Sequence, residues 1–261
     1  MADKENVELW SSLNNKSKDI EKNINALDRK RTGSYYTDIE LTDEMMHELV
    51  ETMKLHKTKK IYEYTFLEPC VGSGNFVFSY IKYVNEIGLN KDEAECFLNN
   101  IYVIDVNEDA LSSYKESLTK VASSLWKIKL NDDYFETHIG KSVLIDVTQN
   151  ELRYIPITDV FPNAVLNDGF DVIATNPPYK NLKAERSQYN SEEEYEKDQI
   201  KYNDISKIVK SNFKYSSEGV LNLYKLFVEE IIEKYANPNG YISLLIPTSI
   251  MSDKTSMNCW W

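Results

Sequence analysis

Cysteine is scarce: Cys70, Cys96 and Cys259 are the only three, and no two form a C-x-x-C pair. An odd, scattered set excludes a disulfide framework and a zinc cluster. It fits reduced thiols in a cytoplasmic protein. Long apolar runs are missing too, and none approaches the roughly 20 residues needed to cross a bilayer. The opening MADKENVELW has no basic-then-apolar leader, so no secretion signal is expected. Neither phosphate-binding pattern occurs, G-x-G-x-x-G or G-x-x-x-x-G-K-[ST]. His47, His56 and His138 stand apart with no H-E-x-x-H, so no metal site is expected. Basic residues fall short as well, 30 Lys and Arg against 42 Asp and Glu for a net charge of -12. That balance counts against duplex binding by this chain alone, because such affinity rests largely on Lys and Arg neutralising phosphates. An acidic core would need its basic surface from another segment or subunit.

What is present is enough for one α/β domain, with or without an appendage: 261 residues, 42% of them hydrophobic. Apolar residues at Val7, Trp10, Leu13, Ile20, Ile24 and Leu27 predict an amphipathic N-terminal helix. A second helix is expected with Thr42 as its N-cap and Met45, Met46, Leu49, Val50 and Met53 inward. Tyr64 to Pro69 is a short apolar run ending in a turn with Gly72 and Gly74, and a helix follows from Phe76 to Ile87. Ile101–Asp105 and Phe170–Thr175 read as strands buried on both faces. Ala110 to Trp126 reads as a helix, and a weaker strand lies between Ile128 and Val147. Leu221 to Tyr235 reads as a helix leading into a strand from Gly240 to Ile246. The alternation predicts a doubly wound, mostly parallel sheet, whose ligands bind beyond the carboxyl ends of the strands. Residues 180–220 carry eight acids and eight bases and break the rhythm. They read as an inserted loop and helix of the lid type. There is no internal repeat.

The strongest local signal is Asn176-Pro177-Pro178-Tyr179 after a buried strand. Its plain alternative is a proline-rich turn. The chemical reading gives each residue a task. The amine on a nucleobase is a poor nucleophile because its lone pair is delocalised into the ring. Two acceptors on its N–H groups localise that pair. The Asn176 side-chain oxygen and the Pro177 carbonyl are the candidates, and the prolines hold the backbone rigid. Tyr179 offers a face for a base lifted out of its stack. The second signal is Glu68-Pro69-Cys70-Val-Gly72-Ser-Gly74, whose glycines let backbone approach a ligand. Lacking the phosphate pattern and carrying Glu68, this loop suits a cationic ligand. Asp105 ends the next strand. Alone it is equally a helix N-cap or a ligand for ribose hydroxyls; with Glu68 and the glycines the ligand role is favoured.

Together these residues resemble the gamma-class amino methyltransferases of restriction–modification systems, which mostly methylate adenine N6 in DNA. Gly33-Ser-Tyr35-Tyr36-Thr37 is similar to the family's N-terminal cofactor motif, Leu67 to Gly74 to its cofactor loop, and Val103-Ile-Asp105-Val106-Asn-Glu-Asp-Ala-Leu111 to its ribose motif. Asn176 to Tyr179 matches the catalytic motif, while Asn222 to Val228 and Gly240 to Pro247 resemble the next helix and strand. The resemblance implies a class I, Rossmann-like methyltransferase domain over residues 33–255, with a helical extension at 1–32 and an atypical tail at 256–261. It implies S-adenosyl-L-methionine as cofactor, held by Tyr35, Tyr36, Thr37, Glu68, Pro69, Cys70, Gly72, Gly74, Asp105, Val106, Asp146 and Asn176. It implies catalysis by Asn176, Pro177, Pro178 and Tyr179, DNA as partner, and no metal or membrane.

Three departures stand against the resemblance, one of them a long stretch between the third-strand region and Asn176. The family's third strand ends in an acid that holds the cofactor's adenine. Here Asp146 follows the best strand, Asp133 competes, and an alignment on Gly140-Lys141-Ser142 leaves that role empty. The chain also ends soon after the fifth strand, so the closing β-hairpin and target-recognition domain are expected to be missing, their role falling to another segment or a partner subunit. An N-P-P-Y box equally serves transfer to RNA, protein glutamine or cytosine N4, and a domain that binds cofactor without transferring anything is the non-enzymatic alternative.

Overall fold

The computed structural model describes residues 2–23, 37–56, 58–146, 153–162 and 168–251. The readings made for Ile24, Leu27, Gly33, Tyr35, Tyr36 and the 256–261 tail, and any statement about a closing hairpin, lie outside these residues.

Helix α1 (Ala2–Asn23) buries Leu9, Leu13 and Ser17, a strict four-residue spacing, against the body. Of the predicted face, Leu13 is buried and Trp10 packs against the core, but Val7 is 64% exposed. Lys16 reaches Glu116 and the Ser113 carbonyl, and Lys120 reaches Ser12, so polar bonds flank the apolar stripe. Helix α2 (Ile39–His56) begins earlier than predicted. The Asp38 carboxylate receives the Glu40 N–H at its start. Thr42, expected as the cap, is buried in the first turn with its hydroxyl on the Ile39 carbonyl. Met46, Leu49, Val50 and Met53 point inward as read.

Strand β1 (Phe66–Glu68) is followed by α3 (Asn75–Asn85) and α4 (Lys91–Leu98). Next come β2 (Ile101–Asp105) and α5 (Glu108–Trp126). Helix α6 (Asp132–His138) runs straight into β3 (Ile139–Lys141). A separate antiparallel pair, β4 (Ile145–Asp146) with β5 (Arg153–Tyr154), and a single turn of helix, α7 (Ile157–Val160), precede β6 (Phe170–Thr175). Helix α8 (Glu192–Asn212), α9 (Leu223–Glu230) with a π-helical continuation over Ile231–Tyr235, and β7 (Ala236–Leu244) complete the order.

The main sheet has the order β3-β2-β1-β6-β7, and every pairing in it is parallel. This is the doubly wound arrangement that the alternation predicts. Successive strand residues divide between two cores, as a period of two requires. Phe66, Val103, Val172 and Ala174 join the helices α1 to α5 on one face. Leu67, Ile104 and Ile173 join Phe161, Ile231 and Tyr235 on the other. Burial on both faces explains the continuous apolar runs Ile101–Ile104 in β2 and Val172–Ala174 in β6. The chain winds outward in both directions from β1 and β6, so the sheet's switch point lies between them, where such folds place a crevice.

The segment after Tyr179 leaves the sheet and returns beside its own start. Leu182 N–H bonds the Leu221 carbonyl at 2.9 Å, Leu223 N–H bonds the Lys180 carbonyl at 2.8 Å, and the Asn222 and Asn181 side chains meet at 2.8 Å. The far end is pinned by Glu229, whose buried carboxylate accepts the N–H groups of Lys214, Tyr215 and Ser216. Between these ties, α8 buries only Ile205 and Val209.

Candidate active site

The switch point gathers three chain segments. The first is the β1–α3 turn. Gly72 (φ 51°) and Gly74 (φ 87°) adopt left-handed backbone. A Cβ on Gly74 would stand 2.7 Å from the Phe78 ring and 2.8 Å from the Tyr114 ring, so both conformation and space demand glycine there. The turn is closed by Gly74 N–H on the Val71 carbonyl at 2.7 Å and moored to β2 by Val71 N–H on the Ile104 carbonyl at 2.9 Å.

Two carboxylates flank this turn, near enough for the charge of Asp105 to act on Glu68. Glu68 is 2% exposed and its Oε2 has no hydrogen-bond partner. Desolvation, then the charge of Asp105, holds its carboxyl well above the usual range, with the Val77 backbone N–H as the opposing influence. Asp105 Oδ2 accepts the Gly72 N–H at 2.8 Å and Oδ1 accepts the Asn107 N–H at 2.9 Å. Burial raises its pKa, opposed by the backbone N–H groups of Asn107, Gly72 and Val106. The helix-cap alternative for Asp105 fails, because Asn107 caps α5 through the N–H groups of Asp109 and Ala110. Each Asp105 oxygen keeps further lone pairs for a ligand. Pro69 is buried and Val106 is 54% exposed at the rim. Desolvation, then Asp105 and Glu68, pushes the Cys70 thiol well up, which disfavours its thiolate form.

The second segment is the end of β6. Asn176, Pro178 and Tyr179 are half-buried, and Pro177 is buried. The Tyr179 hydroxyl lies 2.5 Å from Asn176 Oδ1 and 2.6 Å from the Leu245 carbonyl, two acceptors for one proton. Its ring meets Tyr224 edge-on with centroids 5.8 Å apart, and burial pushes its pKa up to about 12.

The third is Thr37. Its hydroxyl accepts from Asn176 Nδ2 at 2.9 Å and its carbonyl from Asn75 Nδ2 at 2.9 Å. Sequence reasoning placed Thr37 at the cofactor. It missed the link to Asn176, which 139 positions separate.

The end of β3 requires a correction. Register pairs Val103 with Ile139, Ile104 with Gly140 and Asp105 with Lys141. Lys141, ion-paired to Glu108, therefore occupies the strand end. Asp146, read as following the third strand, belongs to the separate β4–β5 pair opposite Arg153. Asp133 lies in the first turn of α6, before the strand. The strand is only three residues long, so a hydrophobic pattern could not fix its register.

An uncompensated buried acid beside a second acid, at a turn too tight for any side chain on Gly74, fits a ligand that combines positive charge with a ribose. Among the described residues no group of three or more His, Cys, Asp and Glu could hold a metal ion, and no helix is long and apolar enough to cross a membrane.

Comparison with known proteins bears on this arrangement. A family model described as Eco57I restriction-modification methylase matches residues 99–260. No individually curated protein matches significantly. Among solved structures, that of a DrdV–DNA complex superposes with a TM-score of 0.61 at 16% identity, covering 89% of this chain and 22% of that one. A nuclease-deletion mutant of the type ISP restriction-modification enzyme LlaGI, with a DNA substrate mimic, gives 0.59 at 18% identity over 85% of this chain and 19% of the other. The M protein of the type I restriction enzyme EcoKI gives 0.50 at 15% identity over 87% and 37%. The chain thus spans between about a fifth and about two-fifths of these structures. At such identities the likeness concerns the fold alone.

Proposed function

The chain belongs to the Eco57I restriction-modification methylase family, and from that premise we propose that it methylates the N6 amine of an adenine lifted out of DNA. Its cofactor is S-adenosyl-L-methionine, which when bound supplies an electrophilic methyl group on a sulfonium. The observation that carries the proposal is Asn176 at the carboxyl end of β6, beside the strand that ends in the buried Glu68.

Glu68 and Asp105 would hold the cofactor, Glu68 by its unpartnered oxygen and Asp105 by the lone pairs that Gly72 and Asn107 leave free. Gly72 and Gly74 give the turn the left-handed backbone that sets Glu68 and Asp105 in place, and Val106 is exposed beside Asp105. Asn176 orients the acceptor. Its Oδ1 and the Pro177 carbonyl take the two N–H bonds of the amine, so that the nitrogen's lone pair turns out of the ring plane. In the resting site the Tyr179 hydroxyl lies on that oxygen, while the Leu245 carbonyl is a second acceptor for the same proton. An arriving amine can therefore displace the hydroxyl at little cost. Rate enhancement then comes from orientation and from acceptors already placed where positive charge develops on nitrogen. The methylated nitrogen is acidic and gives its extra proton to water, so no general base is required.

DNA is the partner this reading requires, and a net charge of -12 means that basic surface from elsewhere must hold it. Calorimetry with the cofactor, followed by tritiated methyl transfer offered to genomic DNA, RNA and protein together, tests the reading. Label in DNA is expected. Label confined to RNA or protein would replace the substrate, and binding with no transfer would replace the function.

A further inference from the structure

We propose that Thr37 is a positioning residue for the Asn176 carboxamide, an inference that rests on the function proposed above. A carboxamide has two nearly isosteric ends, an acceptor and a donor. Rotated by half a turn, Asn176 would present N–H to an N–H, and the amine would lose one of its two acceptors. Something must therefore choose the rotamer. In this structure the Thr37 hydroxyl, which can donate or accept, takes the acceptor role toward Nδ2 at 2.9 Å, and Oδ1 lies on the opposite side, where the Tyr179 hydroxyl meets it at 2.5 Å.

Thr37 is itself fixed from the donor side. Its carbonyl holds Asn75 Nδ2 at 2.9 Å, Asn75 Oδ1 receives the Ser73 hydroxyl at 3.1 Å, and Ser73 meets Ser17 of α1 at 2.9 Å. Ser73, Asn75 and Ser17 are all buried, where an unmet polar group is costly. The chain of bonds refers the orientation of Asn176 to the cofactor turn, so donor and acceptor are aligned through one residue. Thr37 thus acts on the acceptor side by its side chain and on the donor side by its backbone. A side-chain substitution separates the two.

Thr37→Val keeps the shape and removes the hydroxyl; Thr37→Ser keeps the hydroxyl. Two readouts apply to the whole protein. The first needs no turnover: hydrogen exchange of the Asn176 side-chain amide, followed by NMR in asparagine-labelled protein. The Hδ2 proton facing Thr37 is expected to be protected in wild type and Thr37→Ser and to exchange about ten-fold faster or more in Thr37→Val. Equal protection in Thr37→Val overturns the proposal. The second is kinetic. Thr37→Val should lower kcat about ten- to a hundred-fold with cofactor Kd and DNA KM nearly unchanged, and Thr37→Ser should restore most of it. Loss of cofactor binding in both variants would make Thr37 merely part of the cofactor pocket. Failure of wild type to transfer methyl groups at all would instead count against the proposed function, and the exchange measurement would still decide the role of Thr37.

Discussion

On the donor side, the turn after β1 is held mostly through its own backbone: Val71 N–H on the Ile104 carbonyl of β2, Gly74 N–H on the Val71 carbonyl, and Gly72 N–H on the Asp105 carboxylate. On the acceptor side, Asn176 is held by side chains, Thr37 at one end and Tyr179 at the other. Backbone ties in a buried parallel sheet give a turn that changes little when a ligand arrives. Side-chain ties can be exchanged one at a time. On the proposed function, such a division suits a reaction in which a small cofactor is held on one side and a base is admitted on the other.

Substitution on the acceptor side should therefore cost turnover and spare cofactor binding, and the reverse should hold on the donor side. The largest effect is expected for Asn176→Ala, which removes an acceptor from the reacting amine. Transfer should fall by about a hundred- to a thousand-fold, while cofactor affinity measured by calorimetry stays nearly intact. Cofactor binding lost along with transfer would dissolve the distinction between the two sides.

Gly74→Ala attacks the donor side through backbone. Strain at positive φ and the collision with Phe78 and Tyr114 should cost about 1–3 kcal/mol, read as a lower midpoint in urea, and should weaken the cofactor. An unchanged midpoint would mean that the turn is softer than its packing implies.

Glu68 gives the comparison a pH dependence. Its carboxyl is held well above the usual range by burial, so the empty pocket favours the protonated form and a cationic ligand favours the carboxylate. Cofactor affinity should rise with pH until the raised pKa is passed, and binding below that pKa should release a proton. For stability the sign is opposite. A raised folded-state pKa gives a contribution that is complete below the unfolded value near 4.5 and is lost as pH rises through the folded one. Glu68→Gln should remove both dependences. Its stability should be flat across that window where wild type declines, and its cofactor affinity low at every pH. A wild-type affinity that does not move with pH would deny Glu68 its role.

The smallest effect is expected for Ser17→Ala, which removes one hydroxyl pair between α1 and the turn. A loss of about 1 kcal/mol or less in stability and a small change in kcat would fit a supporting helix. No change in either would detach α1 from the site.

Much of the scaffold was legible. Ile101–Asp105 and Phe170–Thr175 were read to the residue because strands buried on both faces are rich in apolar residues, broken in the second only by Asp171. Helix α4 was overlooked, although Asn90 and Glu93 form a capping box that spells its start. Helix α6 was lost because it passes into β3 with no breaking residue between them. The third strand is too short for periodicity, and its end residue Lys141 gives no hint of the acid expected there. Within the site, Glu68, Asp105 and Asn176 stood out because each polar residue ends an apolar run. The Thr37 link did not, because a hydrogen bond between segments 139 positions apart leaves no local pattern. Val7 misled the reading of α1 by being apolar and exposed, a common fate for a single surface residue.

The chemical identity of the methylated product tests the central claim most directly. The whole protein is incubated with unmethylated DNA and labelled S-adenosyl-L-methionine, the DNA is digested to nucleosides, and these are resolved by mass spectrometry. Label in N6-methyldeoxyadenosine, absent with Asn176→Ala, is the predicted result; label in N4-methyldeoxycytidine, or N6-methyldeoxyadenosine formed equally well by Asn176→Ala, would contradict it.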